Sequence, residues 1–430
     1  MKTTRRRFLK TVGAAAVGTG LASKGVLGEA PAIRTTQGGT KGGTRTHDVA
    51  VVGAGVFGSW IAYELRRAGR SVALIDAYGP GNARSSSGGQ TRVIRMGYGD
   101  QEIYSRWSMR SLERWKELSR RSGRPGFFQE SGVLWMARER DPLTVATAET
   151  LERLKVPHER LERPELEKRW PQIDFGPITW AIHEPESGFL AAFHGVQAVA
   201  RRALGLGAEF LAGRVAPPTP SPGRSDHRLA ALTTDRGETV HAGAFVFACG
   251  PWLGRLFPGI LGDRLFTSRQ EVFHLGPPPG DERFGVGAIP VWADFAEEIY
   301  GLPDFKGRGF KVAVDAHGPP VDPDTVERIV TPATSRRVTE YAGRRFPALA
   351  GSPIVGGAVC QYTNTSNGDF LIDRHPELEN VWLVGGGSGH GFKHGPAIGE
   401  YVAARIEDGG PVDRRFSLAT KGTVQRRDVY

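Results

Sequence analysis

The stretch Asp48-Val49-Ala50-Val51-Val52-Gly53-Ala54-Gly55-Val56-Phe57-Gly58-Ser59-Trp60-Ile61-Ala62-Tyr63-Glu64-Leu65-Arg66-Arg67-Ala68-Gly69-Arg70-Ser71-Val72-Ala73-Leu74-Ile75-Asp76 decides the fold. Its first five residues form a short apolar run with β-branched side chains, as a buried strand requires. Gly53 to Gly58 is a G-x-G-x-x-G turn, and Ser59 to Ala68 reads as a helix with Ile61 and Leu65 on one face. Gly69 stops that helix, and a second apolar run, Val72 to Ile75, ends in Asp76. This is a βαβ unit carrying the dinucleotide fingerprint. Gly53 permits the tight turn, Gly55 lets a pyrophosphate approach the backbone, and Gly58 lets helix pack on strand. The helix N-terminus offers free N–H groups to phosphates. Asp76 lies 23 positions beyond Gly53, where a carboxylate can accept both ribose hydroxyls.

A second glycine-rich strand-to-helix turn lies near the other end of the chain. The buried run Val381-Trp382-Leu383-Val384 enters Gly385-Gly386-Gly387-Ser388-Gly389-His390-Gly391-Phe392-Lys393, and a helix over 396–407 begins at Pro396. Gly387, Gly389, Gly391 and Phe392 there make another ready anion site. A third contact to a dinucleotide is expected at Gly250 and Trp252, after the buried strand Ala244–Cys249.

Between these turns, Gly79–Arg95 is rich in Ser and Gly, and Ser86 and Thr91 can donate to phosphates. Arg92 and Arg95 stand three apart, which on a helical turn places them near one face. They suit a flavin and a substrate carboxylate. Residues 101–122, 141–170, 194–206 and 322–349 read as helical, the last broken near Pro332. Lys311 sits between apolar neighbours in a strand over 309–314, and by itself reads as an edge lysine. There is no repeat of 20–50 residues.

Composition is that of a globular protein, 39% hydrophobic and 24% charged over 430 residues. The net charge is +10, and residues 1–32 contribute half of it through six basic side chains against Glu29. The mild remainder, without basic blocks interleaved with aromatics, argues against nucleic acid and favours small anionic substrates. The two cysteines, Cys249 and Cys360, allow one disulfide but no zinc site, and Cys249 reads as a core thiol.

Thr4-Arg5-Arg6-Arg7-Phe8-Leu9-Lys10, the Gly/Ala-rich stretch Val12–Ala22 and the small-x-small site Ala30-Pro31-Ala32 look like a twin-arginine export signal. The chain is then handled by the twin-arginine machinery and becomes periplasmic or extracellular, with 33–46 as linker. No mature segment is apolar enough to span a membrane.

Four segments, Gly53–Asp76, Gly89–Tyr98, Tyr300–Lys311, and Ala358–Thr363 with Asp373–Lys393, resemble the monomeric sarcosine oxidase family. That family lies within the FAD-dependent amine and D-amino acid oxidase group. The resemblance spans about 47–408. It implies an α/β fold, with a discontinuous Rossmann-type FAD domain (47–130, 190–262, 354–410), a mixed-sheet substrate domain (131–189, 263–353), and a tail, 411–430. It implies a monomer that oxidises a small anionic amino acid with dioxygen. Gly53, Gly55, Gly58 and Asp76 then hold the ADP half of FAD, and Cys360, in Ala-Val-Cys-x-Tyr-Thr, is the cysteine joined to the flavin. Arg95 and Lys393 bind the substrate carboxylate, Arg92 packs close to the flavin, Tyr300 lines the substrate pocket, and Lys311 promotes the reaction with dioxygen. The pattern departs from the family at Ser87 and Gly88, where a His-His pair is usual. It departs again at Asp315, where a pocket histidine is expected, with His317 two positions on. Two other readings stay open: a dehydrogenase of the same fold serving a quinone or other carrier, and a non-catalytic flavin-binding protein. A nicotinamide-dependent dehydrogenase fits least.

Overall fold

The computed structural model describes residues 45–122, 126–218, 227–426 and Val429. The expected export signal and all but the end of the expected linker lie outside the described residues. No helix among the described residues is long and apolar enough to cross a membrane.

Val49 and Val51 enter one core and Ala50 and Val52 another, so the strand is buried on both faces, while Val72–Asp76 and Thr239–Phe247 pair with its two edges in parallel. This is the near-continuous apolar run that parallel pairing selects. The seven-stranded sheet runs in the order 371–374, 381–385, 239–247, 45–52, 72–76, 209–212, with 231–233 paired on 239–247. Strand 381–385 is parallel to 239–247, so the two glycine turns leave the sheet from the same strand ends. The expected α/β architecture is therefore present.

The helix Val56–Arg67 leaves the first turn without a side-chain cap. It is pressed onto the sheet so closely that a Cβ at Gly58 would come within 1.8 Å of the Gly53 carbonyl oxygen. Gly53 itself has φ +100°, the left-handed region that favours glycine. On the helix's far side lies Gly395–Asp408, where a Cβ at Gly399 would meet the Trp60 backbone at 2.9 Å. A buried ion pair, Arg114 with Glu64 and Glu400, ties both helices to Glu102–Arg121.

The second layer is an eight-stranded, mostly antiparallel sheet in the order 354–364, 266–275, 310–314, 299–302, 291–294, 133–137, 180–184, 159–162. The strand Ile354–Asn364, expected with the FAD segments, belongs here through its pairing with 266–275. The three-stranded sheet, 91–94, 188–191 and 128–129, runs across the expected boundary at 189/190. Two local expectations are corrected. Thr91–Ile94 is a strand and not a helical turn. The helix expected over 322–349 begins at Pro332, capped by Thr331, whose N–H is taken by Glu271 at 2.9 Å.

Gly58→Ala forces backbone against backbone and is expected to cost about 2–3 kcal/mol, read as a lower denaturant midpoint in the purified chain.

Candidate functional site

Both glycine turns open onto one cavity of about 430 Å³, lined largely by apolar atoms. Gly53 and Gly55 line it from the first turn, and Gly387, Gly389, Gly391 and Phe392 from the second. Asp76, Ser86, Arg92, Gly250 and Trp252 also face it. Gly58 does not, consistent with a packing role. Three buried polar atoms on its walls, Ser86 Oγ, Gln361 Oε1 and Thr363 Oγ1, have no protein partner. Buried polar groups in native proteins are hydrogen-bonded, so these point to a polar ligand. An elongated cofactor with phosphates and an amide-bearing ring system, as FAD has, fits this set.

Asp76 lines the cavity, as a ribose-binding carboxylate would, and also accepts from three backbone amides. Its Oδ2 accepts from Ala54 N at 2.7 Å, and its Oδ1 from Tyr78 N and Gly79 N at 2.8 Å each. The carboxylate therefore holds the glycine turn and the loop after the strand in register, and its burial raises its pKa. Ser87 Oγ accepts the Val56 N–H at 2.9 Å, closing the first amide of the helix. Gly88 has no room for a side chain, because a Cβ there would sit 2.4 Å from the Asn82 carbonyl oxygen. Trp252 Nε1 donates to Asp324 at 2.9 Å, and Arg255 meets the same carboxylate at 2.8 Å, at the cavity end near Tyr78.

At the other end, the strand Thr91–Ile94 sends Arg92 and Arg95 to different places. Arg92 donates to the carbonyls of Thr91, Ser86 and Gly88 at 2.8–2.9 Å, and its Nη2 lies 3.4 Å from Cys360 Sγ. Cys360 is a free, half-buried thiol, as is Cys249, whose pKa burial pushes up. Cys360, Thr91 and Lys311 do not line the cavity but adjoin Arg92, which does: Arg92 meets Cys360 and donates to the Thr91 carbonyl that Lys311 also binds. Lys311 Nζ donates to the Thr91 carbonyl (3.0 Å) and hydroxyl (3.3 Å). Burial, with Arg92 nearby, lowers its pKa to about 7.

Arg95, only 7% exposed, lies against the rings of Tyr98 (4.2 Å) and Trp135 (4.6 Å) and donates to the Gly97 carbonyl. Lys393 Nζ donates to the Tyr98 hydroxyl at 2.6 Å and the His390 carbonyl at 3.0 Å. The same hydroxyl is 2.8 Å from His394 Nε2 and 3.3 Å from His390 Nδ1. Burial, then the charge of Arg95, holds Lys393 well below the usual ammonium range, while Asp315 and Glu184 oppose this. Arg95 and Lys393 thus meet through Tyr98 although 298 positions separate them.

Tyr300 and Tyr362 are hydrogen-bonded to each other, and burial pushes the Tyr300 phenol up to about 12, so it is neutral at ordinary pH. Asp315 acts electrostatically on both phenols and on Lys393. His317 lies edge-on to Tyr362 at 6.3 Å and next to Gln425, 2.6 Å from its Nδ1.

Tyr362, Tyr98, His390, Glu184 and Gln425 were not expected as site residues. Tyr362 was legible: two positions from Cys360 on a strand, it shares that residue's face. The others depend on long-range packing that no local pattern announces. Glu184 accepts from Met96 N (2.7 Å), Gly97 N (3.0 Å), Trp135 Nε1 (2.7 Å) and Ser187 Oγ (2.6 Å), fixing the turn after Arg95. Glu184→Ala should cost about 3 kcal/mol, seen as lower thermal stability.

Comparison with known proteins agrees with this geometry. Residues 48–405 match the family described as FAD dependent oxidoreductase. The monomeric sarcosine oxidase of Bacillus sp. (strain B-0618) is 32% identical over 368 residues, 83% of this chain and 92% of that protein. The N-methyl-L-tryptophan oxidase of Salmonella arizonae is 28% identical over 83% of this chain and 94% of its own length. The crystal structure of L-proline dehydrogenase from P. horikoshii shares the fold, with TM-score 0.75 and 24% identity over 87% of this chain and 97% of that one. With one family spanning nearly all the described chain, and a cavity shaped by two glycine turns to match, this protein belongs to the FAD dependent oxidoreductase family, in the branch of the monomeric sarcosine oxidases.

Proposed function

We propose that the chain oxidises a secondary amino acid, N-methylated or cyclic, to an imine, with dioxygen as the electron acceptor and hydrogen peroxide as co-product. Water then hydrolyses the imine to an aldehyde or keto acid. The observation that carries this reading is the pair of buried cations, Arg95 and Lys393, which donate to carbonyls and a hydroxyl. Such a pair has charge left to give to a ligand carboxylate. The names of two relatives, sarcosine and N-methyl-L-tryptophan oxidase, describe N-methyl amino acids.

FAD, when bound, supplies the two-electron acceptor for the substrate C–H bond and passes the electrons on. The chain's own residues bind and orient. Arg95 and Lys393 clamp the carboxylate, which fixes the reacting C–H in one direction. Tyr300 and Tyr362 bound the pocket as neutral phenols. Lys311 brings a positive charge to the place where oxygen gains electrons. The carboxylate of Asp315, where the family resemblance leads one to expect a histidine, argues for a substrate side chain other than that of the family's namesake.

We also propose that FAD is linked through Cys360, on the support of its free thiol and its distance from Arg92. Export by the twin-arginine route is proposed on Arg5, Arg6 and the weakly apolar stretch behind them.

Mixing the enzyme anaerobically with sarcosine, other N-methyl amino acids and proline should bleach the flavin for one of them, and air should restore it within seconds. Bleaching with slow recovery would instead indicate a dehydrogenase. Lys311→Met should slow reoxidation by about 10²-fold with little effect on reduction. Because its pKa is lowered to about 7, Lys311 loses charge as pH rises through that value. Wild-type reoxidation should therefore fall across that range, and the variant profile should be flat. Denatured wild type should retain its yellow colour through gel filtration, whereas Cys360→Ala should release it. Replacing Arg5 and Arg6 with lysine should leave the protein in the cytoplasmic fraction.

A further inference from the structure

The tail after 411 is absorbed neither by the family resemblance nor by the cofactor cavity, yet it returns to the substrate end. Gly422 N donates to Ser366 Oγ at 2.8 Å, and Arg426 N to the Ser366 carbonyl at 2.5 Å. Lys421, 2% exposed, reaches Asn367 Oδ1 at 3.3 Å and the Arg415 carbonyl at 2.8 Å. Val429 is 3% exposed and packs so tightly on Gly368 that a Cβ there would lie 3.2 Å from it. The Gly368 carbonyl is in turn 3.0 Å from His390 Nε2, and the His390 carbonyl accepts from Lys393. From the same tail Gln425 Nε2 reaches across to His317 Nδ1 at 2.6 Å. His317 lies against Tyr362, whose ring rests on the turn at Gly389 and whose hydroxyl meets Tyr300.

The tail therefore reaches both sides of the substrate region, two residues removed from Lys393 on one side, through Gly368 and His390, and one removed from Tyr362 on the other, through His317. We infer that Lys421, Gly422, Gln425, Arg426 and Val429 are part of the substrate site, with Gln425 as a positioning residue that fixes the His317 ring against Tyr362 while Val429 backs the loop behind His390 and Lys393. A free imidazole ring turns about its χ2 bond, and a short hydrogen bond to one nitrogen selects one orientation. The wall so formed, from Gln425, His317 and the two tyrosines, is rich in hydrogen-bonding groups. The inference rests on the reading of this region as the carboxylate-binding end, and it makes the tail a determinant of affinity and not of the chemical step.

The test uses the flavin-loaded full chain and two readouts. One is the Kd for propionate, a carboxylate with no amine to oxidise, taken from the perturbation of the flavin absorbance. The other is the pair of constants KM and kcat for whichever amine reduces the flavin. Gln425→Ala is expected to raise the propionate Kd and the KM by about fivefold while kcat stays within about twofold. Deletion of 424–430 should raise both further. His317→Ala with Gln425→Ala should be no weaker than His317→Ala alone, because the two act as one unit. Val424→Ala, at a side chain 70% exposed, should match wild type.

Wild-type Kd and KM in both Gln425→Ala and the deletion would overturn the inference, as would effects of Gln425 and His317 that simply add. If the deletion loses its flavin, the cycle of point variants decides alone. If no amine reduces the wild type but Gln425→Ala still weakens propionate binding, the proposed reaction fails and the role of the tail stands.

Discussion

Four positive side chains share the interior of this site, and the hydrogen bonds that fix them go to neutral groups. Arg92 is held by three carbonyls, Lys311 by the carbonyl and hydroxyl of Thr91, Lys393 by a carbonyl and a phenol, and Arg95 by a carbonyl and ring faces. Removing a cation from water costs several kcal/mol, and dipoles return only part of that. The depressed pKa values of both lysines are the measure of the deficit. The acid tied closest to Arg95's turn, Glu184, spends its lone pairs on four donors. Asp315 and Glu184 offset this positive charge only in part, and an anionic ligand would relieve what remains, as the proposed carboxylate-binding role requires.

The rest of the fold can be understood as the frame that keeps these cations from escaping to solvent. Lys311 lies mid-strand in the eight-stranded sheet, opposite His274 and Leu302, where the ladder leaves its backbone no freedom. Arg92 is fixed by a strand of the small sheet, and Lys393 by a helical turn whose carbonyl accepts from Trp115 Nε1 at 2.9 Å. Trp115 also stacks on Phe392 with the planes 4° apart, so one aromatic from the helix 102–121 braces both the cavity wall and the lysine beside it. The four cations thus come from three places, Arg92 and Arg95 from the strand 91–94 and the residue after it, Lys311 from the eight-stranded sheet and Lys393 from the turn after strand 381–385, and all three must be docked before the four converge.

Sequence reading carried far where chemistry is local. The βαβ unit, the second glycine turn and the strand around Lys311 are written in contiguous apolar periodicity and glycine placement, so their positions could be read directly. Arg92 and Arg95 were legible as residues but not in their geometry, because a four-residue strand and a helical turn share the same short pattern and only pairing with 188–191 decides between them. The break expected near Pro332 is where the helix begins, with Thr331 as a local cap and Glu271 on a distant strand accepting its amide, but 322–331, expected as helix, is not helical. The pairing of Lys393 with Tyr98, and of His317 with Gln425, is tertiary throughout. Nothing near any of the four residues encodes its partner.

The ring cage around Arg95 has a consequence for direction. A guanidinium is flat, and its faces are the parts that aromatic rings cover best. With Tyr98 and Trp135 both lying within 5 Å of its central carbon, the N–H bonds left to a ligand point outward at the edge, in the plane of the group. A carboxylate must then enter in that same plane, oxygen pair first. A carboxylate bound at Arg95, as proposed, would lose its freedom to roll about its own long axis, and a lysine in place of Arg95, round and without a plane, would keep the charge but not that constraint.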